Sequence, residues 1–431
     1  MLPPLHPGLP VLGSLLDFRD DRAELLRRVA AEHPIARYRI GPITVVCVAD
    51  PEHVGRVMSS NYRNYTKGVK AYLRFREVLG DGLLTSDGDT WAEQRRVAGP
   101  AFRADRIDRL AEGMREAGRT LAASWARTPE PDTLEDLQRT TMRVAGQAFL
   151  GDAMASHVDT IRLAFDEAIS LTTRRIVAPV TPPLWVPTPV NRRFRRAVAH
   201  LDRVLGDVVR ARRTAPRQDD VLGDFLDAGD RSDTELLGQV KTLFMAGFET
   251  LSNALVWSVY ELGRHPEWRE RLRDEAREAF CGPVTRGTFA ALPLTRAVFC
   301  ESLRRYPPVW SAGRTPVEDD VVGGFDIPRG SWVFLSPYAT HHLPDHWPDP
   351  DRWDPDRFTP EREAARHRHA FMPFLAGPRK CIGDHFAMLE GVLVLASLVE
   401  QVDWETVGEV KPFPVVTLRP ASPVRIRTRP V

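Results

Sequence analysis

One segment near the C-terminal end joins a cysteine to glycines and basic residues at spacings that suit a metal site. Residues 371–383 read Phe-Met-Pro-Phe-Leu-Ala-Gly-Pro-Arg-Lys-Cys-Ile-Gly, and a long apolar stretch that we expect to be helical follows them. A helix start supplies free backbone N–H groups and the positive end of the helix dipole, which favour a thiolate at Cys381. Gly377 and Gly383 let the backbone approach a flat ligand closely. Cys381 is therefore a candidate axial metal ligand, with a buried free cysteine as the alternative.

A second set of candidate residues lies within the longest helical pattern. This pattern begins at Ser232–Glu235, which has the form of a capping box, and predicts a buried helix over about 232–263. Gly247 weakens such a helix, and Glu249 and Thr250 are polar where packing alone favours aliphatic residues. A buried helix that is weakened at this point is expected to accommodate a bound group there. The alternative is a polar pair without chemistry, because a helical threonine can donate to the carbonyl four residues earlier.

Composition excludes several classes of protein. The 431 residues are 43% hydrophobic, and 59 basic residues against 58 acidic ones leave a net charge of +1, which disfavours a nucleic-acid binder. The sequence shows no signal peptide and no long apolar run, so we expect no membrane anchor. Widely spaced cysteines without zinc spacing favour a reducing cytoplasm over a disulfide scaffold; they are Cys47, Cys281, Cys300 and Cys381.

The elements that must position these residues are mostly helices. Helical periodicity dominates from Asp89 to Leu150, and strand patterns occur at residues 36–48, as a hairpin, and between Pro308 and Leu335. A Pro-rich segment, residues 1–13, opens the chain. Because no clear linker is present, we expect a mainly α fold with small β-sheets, built as one large domain over residues 1–431 with the long helix at its centre.

The cysteine segment closely resembles the haem-binding loop of the cytochrome P450 superfamily. The family pattern F-x-x-G-x-R-x-C-x-G is matched at all of its fixed positions, Phe374, Gly377, Arg379, Cys381 and Gly383. The resemblance extends in family order over nearly the whole chain. Its other motifs are the Pro-rich hinge within residues 3–13, W-x-x-x-R at Trp91 and Arg95, A-G-x-[DE]-T at Ala246–Thr250, E-x-x-R at Glu301–Arg304 and P-x-R-F at Pro355–Phe358, with Asp356 where glutamate is commoner.

The resemblance implies a role for each matched position. Cys381 would be the thiolate ligand of haem b, and Glu249 with Thr250 would deliver protons. Arg95, Arg314 and Arg379 are candidates for the two haem propionates, since guanidinium groups suit carboxylates. Glu301, Arg304 and Arg357 would form a buried structural triad, with a surface ion pair between the first two as the alternative. The full set of implied cofactor-binding residues is Trp91, Arg95, Ala246, Gly247, Arg314, Phe374, Gly377, Arg379, Cys381 and Gly383.

The implied activity is that of a soluble bacterial haem-thiolate monooxygenase of secondary metabolism. It would use O₂ and external electrons to hydroxylate a hydrophobic small molecule. Oxidative coupling or desaturation on the same haem is an alternative, and a non-catalytic ligand or gas binder is a second one. The chain has no GxGxxG motif and no cysteine cluster, so electrons must come from a separate ferredoxin- or flavodoxin-type partner. Candidate docking residues, or else merely solvated surface charges, are Arg95, Arg96, Arg362, Arg366, Arg368 and Lys380.

Position in the family pattern also indicates the substrate pocket. Its candidate residues are apolar, small or aromatic, which fits a mid-sized terpenoid, polyketide or aromatic peptide-derived metabolite without ranking them. They are Val69, Tyr72, Leu73, Leu243, Ala246, Val309, Trp310 and Val416. His341, His342 and His346 have a faintly metal-like spacing, but we favour a solvated loop there.

Overall fold

Helices make up most of the fold, as the periodicity predicts. The computed structural model describes residues 1–151, 158–178, 181–229 and 231–431. The helices are α1 (Leu15–Asp20), α2 (Arg22–Glu32), α3 (Pro51–Gly55), α4 (Lys70–Leu79), α5 (Gly88–Ala98), α6 (Ala104–Ile107), α7 (Ala111–Trp125), α8 (Thr133–Leu150), α9 (Val158–Val177), α10 (Pro189–Thr214), α11 (Val221–Asp227), α12 (Asp233–Leu262), α13 (Pro266–Ala279), α14 (Arg286–Ala290), α15 (Pro293–Arg305), α16 (Pro337–Thr340), α17 (Pro360–Ala365) and α18 (Asp384–Gln401).

The strands form one mixed sheet and several two-stranded ones. They are β1 (Ile35–Ile40), β2 (Ile43–Val48), β3 (Tyr65–Thr66), β4 (Ala312–Pro316), β5 (Asp320–Val322), β6 (Phe325–Ile327), β7 (Trp332–Leu335), β8 (Val402–Val407), β9 (Pro412–Pro414), β10 (Leu418–Pro420) and β11 (Arg425–Pro430). The larger sheet has the order β1-β2-β7-β4-β3, and β9 pairs with β10. The predicted hairpin is confirmed, with Ile40 opposite Ile43 at its turn.

The helical region predicted from Asp89 to Leu150 consists of several helices. A 3₁₀ turn at Gly99–Phe102 ends α5, because Pro100 has no backbone N–H to continue the ladder. Prolines at positions 129 and 131 separate α7 from α8. The side chain of Asp132 then accepts a hydrogen bond from the backbone of Glu135 and caps α8.

The long central helix α12 has the predicted ends. Ser232 and Glu235 form the capping box, and Gly263 follows the last residue. Every residue from Gly238 to Leu262 is buried except Ala246, Gly247 and Thr250. Helices α8 and α10 pack along it. Neither α12 nor another helix among the described residues is both long and apolar enough to cross a bilayer.

Candidate active site

The cysteine loop is shaped by one glycine with a positive φ angle. Gly377 has φ of 70°, and a side chain there would collide with the backbone carbonyl of Met58. The loop then closes through a hydrogen bond of 3.0 Å from the Cys381 backbone N–H to the Phe374 carbonyl. Helix α18 begins directly afterwards, with Gly383 as its N-cap. Only glycine fits at position 377, because the loop must approach Met58 closely and adopt the left-handed conformation.

The Cys381 side chain is accessible although protein surrounds it. Burial raises the pKa of its thiol, whereas a hydrogen bond from the Gly383 backbone and the charges of Arg95 and Lys380 lower it. Cys381 is nonetheless accessible to solvent. Cys300 differs, because it is enclosed on all sides and burial raises its pKa to about 12. Cys381 therefore combines access for a ligand with nearby positive charge.

Three buried cations lie close together near this loop. The Arg314 guanidinium donates a hydrogen bond of 2.8 Å to the carbonyl of the preceding residue, Gly313. It has no carboxylate partner among the described residues. Arg379 forms an ion pair with Asp87. The ammonium group of Lys67 reaches only backbone carbonyls, at 3.1 Å. Burial, and then the charges of Arg314 and Arg379, lower the pKa of Lys67 to about 7. The Asp87 carboxylate thus faces three cations. We call Lys67, Arg314, Arg379 and Asp87 the cation cluster.

The cation cluster fits a flat ligand that carries two carboxylates, as haem does. The guanidinium Nε of Arg379 is buried without a hydrogen-bond partner, and its guanidinium group lies 4.9 Å from the centre of the Trp91 ring. Tyr72 accepts a hydrogen bond of 3.2 Å from Arg314, so its hydroxyl belongs to the cluster. Arg95 lies instead near Cys381 and Asp384. Burial lowers the pKa of Arg95, and these two neighbours raise it by a smaller amount. Sequence reasoning missed Lys67 and Asp87, because neither belongs to a recognised motif.

Helix α12 has one short accessible patch in its otherwise buried middle. Ala246, Gly247 and Thr250 are accessible there, and the Thr250 hydroxyl donates to the Ala246 carbonyl at 2.7 Å. This is the back-bonding considered from the sequence, and it leaves the lone pairs of the hydroxyl free to accept. A Cβ at Gly247 would lie 2.8 Å from the Phe149 ring. Gly247 is therefore required where α8 crosses α12, a packing reason that the sequence did not reveal.

An aromatic cluster connects this patch of α12 to the cysteine loop. The ring of Phe149 lies 5.4 Å from that of Phe386, in the first turn of α18, and 5.6 Å from that of Phe102. The Phe102 ring in turn lies 3.6 Å from an ideal Cβ at Gly383. Gly247 and the residues beside Cys381 therefore pack against the same rings, and the two motifs belong to one site.

Glu249 is buried, and only one of its two carboxylate oxygens accepts hydrogen bonds from described residues. Its Oε1 accepts hydrogen bonds of 2.8 Å from the Thr417 hydroxyl and 2.8 Å from Arg419. No donor among the described residues reaches Oε2 with a hydrogen bond. Arg419 also lies 3.8 Å from Asp166 of α9. Burial raises the pKa of Asp166, whereas Arg419 lowers it and Glu249 raises it. Thr417, Arg419 and Asp166 were not identified from the sequence, since they lie far from Glu249 along the chain.

A ladder of alternating charges leads from Asp166 towards the surface. Arg162 lies 3.6 Å from Asp166 and 3.0 Å from Glu135. Arg139 joins Glu135 to Asp159, each at 2.9 Å. The Asp159 side chain is 62% exposed. Glu249 is thus connected to solvent-exposed groups through charged side chains.

The residues predicted to line a substrate pocket lie in different surroundings. Val69 is buried and packs so tightly on Gly313 that a side chain there would meet it at 2.5 Å. The Trp310 indole donates to the Val415 carbonyl at 3.0 Å and so fixes the segment that carries Val416. Leu73 is 53% exposed. Among the other candidates, Leu243 is buried and Val309 is partly buried.

The triad predicted from E-x-x-R and P-x-R-F comes together in the interior. Arg304 pairs with Glu301 at 2.7 Å, and both side chains are fully buried, which excludes a surface ion pair. Arg357 lies 3.7 Å from Glu301. The Nδ1 of His341 lies 3.0 Å from the Arg304 carbonyl, and its Nε2 accepts from the Met372 backbone at 2.9 Å. The triad is therefore connected to the start of the cysteine loop through a neutral histidine.

The expectation of a solvated loop at the three histidines is wrong for two of them. His341 and His342 are buried, because each ring nitrogen that faces the interior finds a backbone partner. The Nδ1 of His342 lies 2.7 Å from the Tyr338 carbonyl. His346 is partly exposed. The described residues include no group of three or more side chains able to hold a metal ion.

Acid should destabilise the protein through His342. Burial, and then Arg304, lower the pKa of His342 to about 3, against about 6.5 in an unfolded chain. Between these pH values the His342 imidazole is protonated only in the unfolded state. Its contribution to the free energy of unfolding is therefore complete above about pH 6.5, and below that the free energy of unfolding decreases by up to about 1.4 kcal/mol for each pH unit of acidification. Urea unfolding at pH 7.5 and pH 5 should show a smaller loss for His342→Gln than for the wild type. Equal losses would contradict this origin.

The predicted docking arginines are only partly free. Arg96 and Arg368 are exposed and form no ion pair with a described residue. Arg366 instead packs over the Trp347 ring at 4.3 Å. Lys380 pairs with Asp384 at 2.5 Å. The surface near the cysteine loop therefore offers fewer free cations than the sequence predicts.

Comparison with known proteins supports the resemblance found in the motifs. The family model described as Cytochrome P450 matches residues 3–425. Cyclooctatin synthase of Streptomyces melanosporofaciens is 33% identical over 98% of this chain and 93% of its own length. Pentalenene oxygenase of Streptomyces avermitilis is 31% identical over 98% of this chain and 96% of its own. A solved retinoic acid-bound cyanobacterial member aligns with a TM-score of 0.88 and 28% identity, covering 100% of this chain and 99% of the other.

Proposed function

Since this chain belongs to the cytochrome P450 superfamily and is a haem b-dependent monooxygenase, we propose that it hydroxylates a mid-sized hydrophobic molecule, most readily a cyclic terpene. One observation carries the reaction. Between Gly238 and Leu262 the long helix is accessible only at Ala246, Gly247 and Thr250, directly beside the buried Glu249. The terpene class is supported by the names of the relatives that modify cyclooctatin and pentalenene skeletons.

The residues of this chain would hold the cofactor from two directions. When bound, haem b would supply an iron that activates O₂, with a thiolate of the protein as its ligand. Cys381 is the ligand we propose, because its sulfur is accessible and has cations beside it. Lys67, Arg314 and Arg379 would hold the two propionates, since the cation cluster has more positive than negative charge.

Glu249 and Thr250 would move protons within the site. With its Oε1 anchored by Thr417 and Arg419, Glu249 can pick up and release a proton at Oε2. Thr250 donates to the Ala246 carbonyl, so the lone pairs of its hydroxyl oxygen stay free to accept a hydrogen bond on the accessible side of α12. The ion pairs through Arg419 and Asp166 would hold the Glu249 carboxylate in place and connect it to solvent-exposed charged groups.

Glu249→Gln should lower product formation about 10²-fold, because general acid–base groups contribute factors of this order. Substrate binding, followed by the haem spin shift, should stay unchanged, and the solvent isotope effect on turnover should rise. Glu261→Gln is the matched control, because Glu261 is an equally buried glutamate of the same helix that pairs with Tyr306 at 2.6 Å. Equal turnover in the two variants would refute proton delivery by Glu249.

The substrate class is tested by spin-shift titration against a panel of cyclic terpenes, polyketides and aromatic peptide-derived metabolites. The best binder is then converted in the presence of ¹⁸O₂ with a ferredoxin and its reductase. Retention of one labelled oxygen in a terpene product supports the proposal. Unlabelled product indicates oxidative coupling or desaturation, and a spin shift confined to the other two classes overturns the terpene assignment.

A further inference from the structure

A cavity lies at the C-terminal end of α12, separate from the accessible patch of the same helix. Its volume is about 680 Å³, and it is enclosed by the ends of α12 and α15, the start of α13, α16 and the segments 351–356 and 409–412. Tyr260, one of its lining residues, follows Thr250 by ten positions on α12, a rise of about 15 Å. A cavity of this size is typical of a site for a small molecule. None of its lining residues belongs to the proposed active site.

The inner surface of this cavity is largely aromatic. The rings of Trp268 and Trp353 meet edge to face with their centres 6.1 Å apart, and the His265 ring stacks on Trp353 at 4.5 Å. Tyr306 and Tyr338 also line the cavity. Both tryptophans and both tyrosines are more than nine-tenths buried. The faces of such rings carry partial negative charge and therefore attract cations.

A buried carboxylate with one free oxygen lies among these rings. The Glu261 side chain is 3% exposed, and its Oε1 accepts a hydrogen bond of 2.6 Å from Tyr306 and lies 3.3 Å from Arg305. No described residue donates a hydrogen bond to Oε2. The His265 Nδ1 stays 3.8 Å from Oε2 and lies 2.8 Å from the Glu261 backbone carbonyl instead. A buried carboxylate oxygen without a donor is costly, and a bound group that supplies one removes this cost.

A second buried acceptor lines the cavity at His342. Its Nδ1 lies 2.7 Å from the Tyr338 carbonyl and must donate to it. Because the ring is neutral, with a pKa lowered to about 3 mainly by burial, its Nε2 carries a lone pair, and no described residue donates to that nitrogen. The cations that line the cavity are all more exposed than Glu261 and so lie nearer its mouth; they are Arg264, Arg305, Arg352 and Lys411.

We propose that this cavity, which we call the Glu261 cavity, binds a protonated amine with a compact aromatic or alicyclic body. The ammonium group would donate to Oε2 of Glu261 and Nε2 of His342, and the body would pack on the rings of Trp268 and Trp353. An anion would meet the Glu261 carboxylate, and a neutral molecule would gain only from the burial of apolar surface. A metal ion does not suit the cavity, because the described residues include no group of three or more side chains able to hold one. This site does not depend on the proposed reaction.

Three probes that share a phenyl body test this proposal by calorimetric titration of the holoenzyme at neutral pH. They are 2-phenylethylamine, which is protonated, neutral 2-phenylethanol and the anion phenylacetate. The amine should bind at least about tenfold more tightly than the alcohol, and phenylacetate should bind most weakly. Glu261→Gln removes the charge and keeps an oxygen for the Tyr306 hydrogen bond. It should weaken binding of the amine about tenfold and leave binding of the alcohol unchanged.

Two further variants separate the cavity from other causes. Glu249→Gln is the matched control, since Glu249 is an equally buried glutamate of α12 outside the cavity, and it should bind the amine as the wild type does. Glu267→Gln/Asp356→Asn changes two exposed carboxylates at the mouth, which form no ion pair with a described residue, and should weaken amine binding about two- to threefold. If Glu261→Gln does not fold, as measured by urea unfolding, this double variant decides, and unchanged amine affinity in it overturns the proposal.

Absorption spectra recorded during the same titrations exclude binding at the haem. Amine binding that Glu261→Gln and Glu249→Gln weaken alike overturns the proposal, as does equal affinity for the amine and the alcohol. A Soret shift that accounts for all of the amine binding, and that Glu261→Gln leaves unchanged, would place the amine at the haem iron and would also overturn it.

Discussion

Cys381→Ser should abolish the red-shifted Soret absorption of the reduced, carbon monoxide-treated protein and reduce monooxygenase activity to background. Serine has nearly the same shape as cysteine, so the loop closed by the Phe374 carbonyl should remain folded. A serine hydroxyl does not ionise at neutral pH and cannot replace a thiolate as ligand. The difference spectrum measures the ligand, and circular dichroism measures the fold.

Cys281→Ser provides the matched control for this experiment. Cys281 is also accessible, but its sulfur donates to the Arg277 carbonyl at 3.2 Å on the surface. Its replacement should leave both the Soret position and turnover unchanged. If Cys381→Ser kept the red-shifted band, the metal ligand would have to be another residue and the proposed site would be wrong.

Arg314→Leu/Arg379→Leu should cause the second largest effect, the loss of bound haem. Each charge-assisted hydrogen bond to a carboxylate contributes about 1.5–3 kcal/mol, so removing both arginines should lower haem affinity about 10²- to 10⁴-fold. The haem content per protein and the rate of haem transfer to an acceptor apoprotein measure this effect. Both arginines are buried, so unfolding by urea must be compared as well.

Asp87→Asn separates charge from packing in the cation cluster. This change removes the one carboxylate that faces the three cations and leaves Arg379 free to bind another anion. Haem should be retained at least as firmly as in the wild type. If Asp87→Asn lost haem as readily as the double arginine variant, the cluster would serve to pack α5 and not to hold propionates.

Local signals made much of the fold predictable. The capping box at Ser232 and the alternating pattern of the first hairpin are decided by residues a few positions apart, and the structure has both. Long-range partners were not predictable in the same way. Arg419 lies 170 positions from Glu249, and sequence alone does not indicate which buried carboxylate it faces.

The burial of His341 and His342 also depends on long-range partners that the sequence does not indicate. His341 and His342 precede a stretch rich in proline and aspartate, residues 343–351, which is typical of a solvated loop. They are buried because Arg304 and Tyr338 offer backbone carbonyls to their rings. A polar side chain is expected to be exposed only when the interior offers it no hydrogen-bond partner. Tertiary packing decides whether such a partner is present.

The position of Arg419 has a consequence for engineering this enzyme towards new substrates. Val416 and its neighbours are an obvious target for mutagenesis because Val416 was predicted to line the substrate pocket, yet Thr417 and Arg419 bind the carboxylate of Glu249. Libraries that randomise this hairpin would alter fit and coupling efficiency together, so improved binding would often be masked by wasted reducing equivalents. Varying Val416 with Thr417 and Arg419 left unchanged is the design that keeps the two properties apart.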